Sequence, residues 1–527
     1  MAAQNGNISK EEQEKLIGSE TGFSGRDENW SRDIIENIPT VNSILGGISK
    51  SVPPPSAFSP RKMTLRNMYS WPPPDSSRDT AWLDGLRGVA AFFVMTYHFT
   101  LDWWFALYVE APYGSLETVS QERHWFDFWR LPLLRIPFAS GHTQVSVFFV
   151  LSGFVLSWGS LGLIRARRAD KLANNLGSAV FRRWLRLYLP CFAIAFFQFL
   201  ELRSGWRGIT NKERMPSFWA QLSDFIFSCN SYAEPFVLDR NNWNSLHGYD
   251  WTMWTIPYEF AGSLCVFLVV LACARIQSYR KRSFVIGFLS LYAFWEAKWS
   301  YQLFLSGVWI ADHVRELGGF EAIARNSNST TRMRWFLVLI VGLLLAGNPE
   351  PSEAYSRPGY AWLDKLVTFQ WYLIEGGGRL WWNWAGILII LSCCHLPGIQ
   401  KLFSTRICRY LGRISFMIYI THRIILNGIG THIKRFIFDL FGRGPYIDVP
   451  RVPGIWHPII TLCIFIILWA IHLPMVILFA NWAEILIDAP STRFAKWVDE
   501  QFVGGTQERP SAEPVLPTNE SNGKPIA

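Results

Sequence analysis

Residues 82–99 read WLDGLRGVAAFFVMTYHF, an apolar run with one cation near its start and one imidazole near its end. Its length and composition predict a helix that enters a bilayer. Arg87 marks one mouth and His98 follows eleven residues later, about 16 Å deeper at 1.5 Å per residue. Eleven steps of 100° end only about 20° past three full turns, so both side chains share one face. In hydrocarbon an ionisable side chain is costly, and each one is a functional hypothesis by default. The plainer reading is a snorkelling arginine and a histidine hydrogen-bonded between helices, and the two readings stand level on physics alone.

Working outward, the same texture recurs. Apolar runs lie near 86–107, 145–164, 184–201, 258–274, 283–297, 300–313, 335–347, 382–396, 408–428 and 457–483, which predicts an all-α integral membrane protein with about ten transmembrane helices. The chain is 50% hydrophobic and 16% aromatic but only 17% charged, below the roughly 25% of soluble domains. Those proportions exclude disordered and disulfide-stapled classes. The polar residues collect in two tails, 1–80 and 491–527, read as solvated segments flanking a membrane domain at 81–490. Each tail carries one net negative charge, so the chain's +9 is +11 on residues 81–490.

Basic residues there sit in alternate connectors: Arg165, Arg167, Arg168 and Lys171; Arg275, Arg280, Lys281 and Arg282; Arg315, Arg325, Arg332 and Arg334; then Lys401, Arg406 and Arg409. That phase fits the positive-inside bias with both tails cytoplasmic. Short basic clusters between apolar runs set orientation and do not suit nucleic acid. The eight cysteines show no metal-ligand spacing. The sequons at Asn7, Asn29, Asn328 and Asn519 fall on the cytoplasmic side of this topology, where none should carry glycan.

Further polar residues mark other runs. Arg183 and Arg186 are one turn apart at the start of the third, a pairing suited to phosphate or to simple headgroup contact. Glu259 follows Pro257 at the external mouth of the fourth, placed to orient a histidine or to cap a helix. His422 lies about 20 Å along a helix from Arg409, which reads as an interfacial position.

Taken together, these segments resemble the acyltransferase 3 family of polytopic membrane acyltransferases. The carriers are Arg87 and His98 with ten residues between them, Val147 to Phe154, Arg183 and Arg186, Trp254-Thr255 through Glu259, and Ser415, Tyr419 and His422, with Glu484 and Ile487 to Pro490 near the end. Ser146 departs from the pattern, standing where many members carry Asp. The resemblance implies transfer of an acyl group, often acetyl, from acyl-CoA to a hydroxyl of a glycan, lipid or small metabolite. It implies acyl-CoA as co-substrate with no permanently bound cofactor. His98 would be general base or acyl carrier, with Glu259 stabilising its imidazolium and Ser152 or Thr255 meeting the oxyanion. Arg87, Arg183 and Arg186 would meet CoA, with Thr255, Tyr419 and His422 also facing substrate. A proton-coupled transporter would use the same intramembrane His and Glu, but it predicts two similar halves, and residues 81–297 and 300–490 show no convincing repeat.

Overall fold

The computed structural model describes residues 79–103, 111–115, 128–205, 212–236, 248–250, 252–352, 356–441 and 458–503. The N-terminal tail and the last 24 residues lie outside them. Among the described residues the secondary structure is helical, without strands. The helices are α1 (Ala81–Trp103), α2 (Gly141–Arg165), α3 (Ala169–Ser204), α4 (Phe218–Ala233), α5 (Thr255–Ala272), α6 (Tyr279–Trp295), α7 (Trp299–Glu316) and α8 (Gly319–Asn326). They continue as α9 (Ser329–Ala346), α10 (Gly378–Cys394), α11 (Pro397–Phe403), α12 (Arg406–Asn427), α13 (Ile429–Leu440), α14 (Pro458–Ala483) and α15 (Ala489–Val503).

Five stretches are long and apolar enough to cross a membrane: α2, α3, Thr252–Arg275, α9 and Leu462–Phe502. A sixth is the pair Glu375–Cys394 and Pro397–Phe403 if that 102° bend belongs to one span. The sequence led us to expect about ten. Of the other runs, α6 is only 17 residues long, and α7 carries Asp312, Arg315 and Glu316; some of these charges the fold buries. Arg282 of α6 and Asp312 of α7 are fully buried, and two guanidinium nitrogens reach the carboxylate at 2.7 and 2.8 Å. Arg165 joins them from the end of α2 at 3.0 Å. Two arginines counted above as orientation markers are therefore neutralised within the protein.

Close helix contact depends on missing side chains. A Cβ on Gly88 would fall 2.2 Å from the backbone nitrogen of Gly412, and one on Gly412 would fall 2.3 Å from the Asp84 carbonyl. α1 and α12 thus touch backbone to backbone, as small residues allow within membranes. Gly153 and Gly307 do the same for α2 and α7.

Two helices depart from the expected bounds. α3 begins fifteen residues before the apolar run at 184, because its first half is amphipathic rather than apolar. Residues 491–503, expected in the C-terminal tail, are helical and dock on α3, where Asp499 accepts a hydrogen bond from Ser178 at 2.5 Å and pairs with Arg182 at 3.4 Å. Between α14 and α15 the chain passes through one π-helical turn, Glu484–Asp488.

Candidate active site

A cavity of about 310 Å³ opens where α1, α2, α3, α5 and α12 converge. Arg87, Ser152, Arg183, Arg186, Thr255, Glu259 and Tyr419 all line it. Each owes its place to a local feature. The Gly88–Gly412 contact brings Arg87 against α12, where its Nε donates to Ser415 Oγ at 3.0 Å and Nη2 to the Gly412 carbonyl at 3.1 Å. Asp84, one turn earlier, pairs with the same guanidinium at 3.3 Å. The π turn, a wide turn that recurs at functional sites, sets Asp488 in the cavity wall.

Glu259 is the structural knot. Its Oε1 accepts from Arg183 Nη2 at 2.5 Å and from Ser152 Oγ at 2.6 Å. Arg183 Nε also donates to Ser263 Oγ at 2.8 Å, and Ser263 in turn donates to the Glu259 carbonyl. Glu259 is thus engaged by an arginine and a serine, and the Ser152 hydroxyl donates to it. Arg183 lies about 21 Å along α3 from Ala169, where the amphipathic first half gives way to the apolar run. Arg186 makes no hydrogen bond or ion pair among the described residues and faces the cavity as an exposed cation.

Thr255 and Tyr419 form a second unit. The Thr255 hydroxyl donates to the Tyr419 oxygen at 2.7 Å, so the phenolic proton is left to point elsewhere, and Tyr419 lines the cavity. One turn beyond Tyr419 on α12, His422 is fully buried within the protein. It meets His98, with His422 Nε2 and His98 Nδ1 3.0 Å apart. Neither histidine lines the cavity, but the His422 ring lies 6.4 Å from that of Tyr419, which does. His98 is half-buried and its ring lies 5.3 Å from that of Tyr97.

Sequence reasoning missed Arg413, which lines the same cavity and donates to Asn481 Oδ1 at 2.6 Å. Its spacing of four from Arg409 within the predicted run was the available signal. Also missed was a charged cluster beside Tyr97. There His142 lies within 3.7 Å of Glu350 and Glu375 and stacks on Trp382, and buried Arg379 pairs with Glu375. Burial, with the Glu375 charge added, pushes the Glu350 carboxyl above its usual range. Ser146 lies outside the cavity wall, its hydroxyl 3.3 Å from Asn383 Oδ1, in a fully buried network between α2 and α10.

Residues 80–479 match the acyltransferase domain of the acyltransferase 3 family, and the chain belongs to that family. It is therefore an acyltransferase and a membrane protein. Among its relatives, the O-acetyltransferase PaAT-1 of Phomopsis amygdali is 29% identical over 82% of this chain and 86% of its own. Acyltransferase R4 of a Phoma species is 24% identical over 71% and 88%, and acyltransferase clz18 of Cochliobolus lunatus 22% over 76% and 94%. No solved structure matches the chain.

Proposed function

We propose that this protein is a multi-pass membrane enzyme that moves an acetyl or other short acyl group from acyl-CoA to a hydroxyl of a glycan, lipid or small metabolite. The observation that carries the reading is the meeting of Arg87, Arg183, Arg186, Ser152, Glu259, Thr255 and Tyr419 in one cavity. These residues come from five helices spread over more than 300 positions, and the His98–His422 pair adjoins them. The name of the relative PaAT-1 supports an O-acetyl product.

In this reading Arg186, exposed in the cavity near Asp488, takes a CoA phosphate. Arg87, held by Ser415 and the Gly412 carbonyl, lends positive potential to the same mouth. The Arg183–Glu259–Ser152 unit braces the wall rather than reacting. The acceptor hydroxyl gives its proton to His98 while its oxygen attacks the thioester carbonyl. Negative charge then collects on the carbonyl oxygen, and the Tyr419 hydroxyl, oriented by Thr255, donates to it. The C–S bond breaks, and His98 returns the proton to the CoA thiolate, so no net proton is consumed. A relay through acyl-His98 uses the same groups in two steps.

The membrane arrangement is part of the proposal. With α1, α6, α7 and α12 added to the five apolar stretches and the bent pair, the chain crosses ten times, and both tails lie in the cytoplasm where CoA is. The test is comparative mass spectrometry of extracts from cells with and without the protein. A metabolite or glycan that gains one acyl group only when the protein is present supports the reading. Identical extracts under verified expression contradict it.

A further inference from the structure

The two histidines carry more information than their proximity. His98 Nδ1 lies 3.0 Å from the Val94 carbonyl, one turn back on α1, and His422 Nδ1 lies 2.9 Å from the Ile418 carbonyl, one turn back on α12. A carbonyl oxygen can only accept, so each Nδ1 must bear a hydrogen. His422 in that tautomer has its lone pair on Nε2. That nitrogen faces His98 Nδ1 at 3.0 Å, and the hydrogen on His98 Nδ1 is shared between Val94 and His422. The opposite assignment would aim a lone pair of each ring at a carbonyl oxygen. It therefore makes two repulsions where the first makes three hydrogen bonds. His98 Nε2 is left without a partner among the described residues, on a half-buried side chain.

We infer that His422 is a positioning residue, which holds His98 in the Nδ1–H tautomer so that Nε2 is the one nitrogen offered to the reacting groups. The inference rests on the proposed acyl transfer only for its use, since the tautomer itself follows from five atoms and the three distances between them. When Nε2 takes the acceptor's proton, the imidazolium strengthens its Nδ1–H bond to the lone pair of His422, where the new charge forms. A carboxylate in that place would need its own counter-charge inside the membrane, whereas a neutral imidazole does not. If His98 is instead acylated, the same nitrogen forms the new N–C bond as the C–S bond breaks.

The experiment is nitrogen NMR of histidine-labelled protein in lipid nanodiscs, with the His98 signals identified by their loss in His98→Ala. We expect a protonated Nδ1 and an unprotonated Nε2 for His98 in the wild type. A protonated Nε2 overturns the inference, and this readout needs no substrate. Two variants add a kinetic arm. His422→Leu removes the acceptor and should lower kcat about 100-fold, with the KM for acetyl-CoA changed less than about twofold. His422→Gln keeps an acceptor oxygen and should recover at least tenfold of that loss. Equal kcat in the Leu variant and the wild type also overturns the inference. Wild-type protein with the expected tautomer but no turnover of any acyl-CoA would sink the acyl-transfer reading and leave the histidine pair standing.

Discussion

Arg183 and Glu259 meet at 2.5 Å in the wall of the cavity, with both side chains largely buried, and this pair ties α3 to α5. Breaking one partner of a buried pair leaves an uncompensated charge. Glu259→Ala should therefore cost stability, on the order of 2 kcal/mol given residual exposure to the cavity. Arg183→Ala should do likewise, and the double variant should lose less than the sum. Thermal unfolding of the three variants in detergent checks this; strictly additive losses would mean the pair contributes nothing as a unit.

The two arginines of the Arg183/Arg186 repeat should differ. Arg186→Ala is expected to raise the KM for acyl-CoA about tenfold or more, with little change in melting temperature. Arg183→Ala should lower melting temperature first. Steady-state kinetics alongside unfolding curves separates the two, and matching behaviour would refute the division of labour.

Tyr419→Phe removes one hydroxyl and keeps the ring. If that hydroxyl meets the developing oxyanion, kcat falls about 100-fold or more with KM near that of the wild type. Thr255→Val, which only frees the phenol to rotate, should cost less. A larger loss for Thr255→Val than for Tyr419→Phe would point to Thr255 itself as the donor.

Gly88→Leu should abolish folding, because the side chain would have to occupy the space of the α12 backbone at Gly412. Fluorescence-detected size exclusion of a tagged protein reads this directly, as loss of the monodisperse peak. Retention of that peak would show that α1 and α12 can separate without penalty.

How much of this was legible in the sequence varied with the kind of interaction. The shared face of Arg87 and His98 is a local property of one helix, and helical periodicity delivers it. The all-helical fold and the membrane setting follow from composition. The Arg183–Glu259 pair did not follow, because hydropathy started the third run at 184 and so hid that α3 begins at Ala169. Nor did the His98–His422 contact follow, since the two residues are 324 positions apart and His422, judged alone, looked interfacial. The π turn that presents Asp488 has no simple sequence signature, and Arg413 was overlooked two residues from a serine that had been noticed. Pairings across helices are decided by tertiary packing, to which a one-dimensional pattern is blind.

The topology also has a simple check. Asn328 caps the start of α9 by accepting from the Thr331 backbone at 2.8 Å, within an acceptable sequon. In the proposed arrangement it faces the cytoplasm, and protein from a eukaryotic host should show no endoglycosidase-sensitive mass at that site. Glycan on Asn328 would invert the assignment of sides.

The central claim is that His98 performs acyl transfer from acyl-CoA. The most direct measurement is release of free CoA thiol from acetyl-CoA by purified protein in nanodiscs, comparing wild type with His98→Ala at matched abundance and melting temperature. The account predicts measurable thiol release by the wild type and loss of at least 100-fold in the variant, with acetyl-CoA still bound. Thiol release at the wild-type rate by His98→Ala would contradict it.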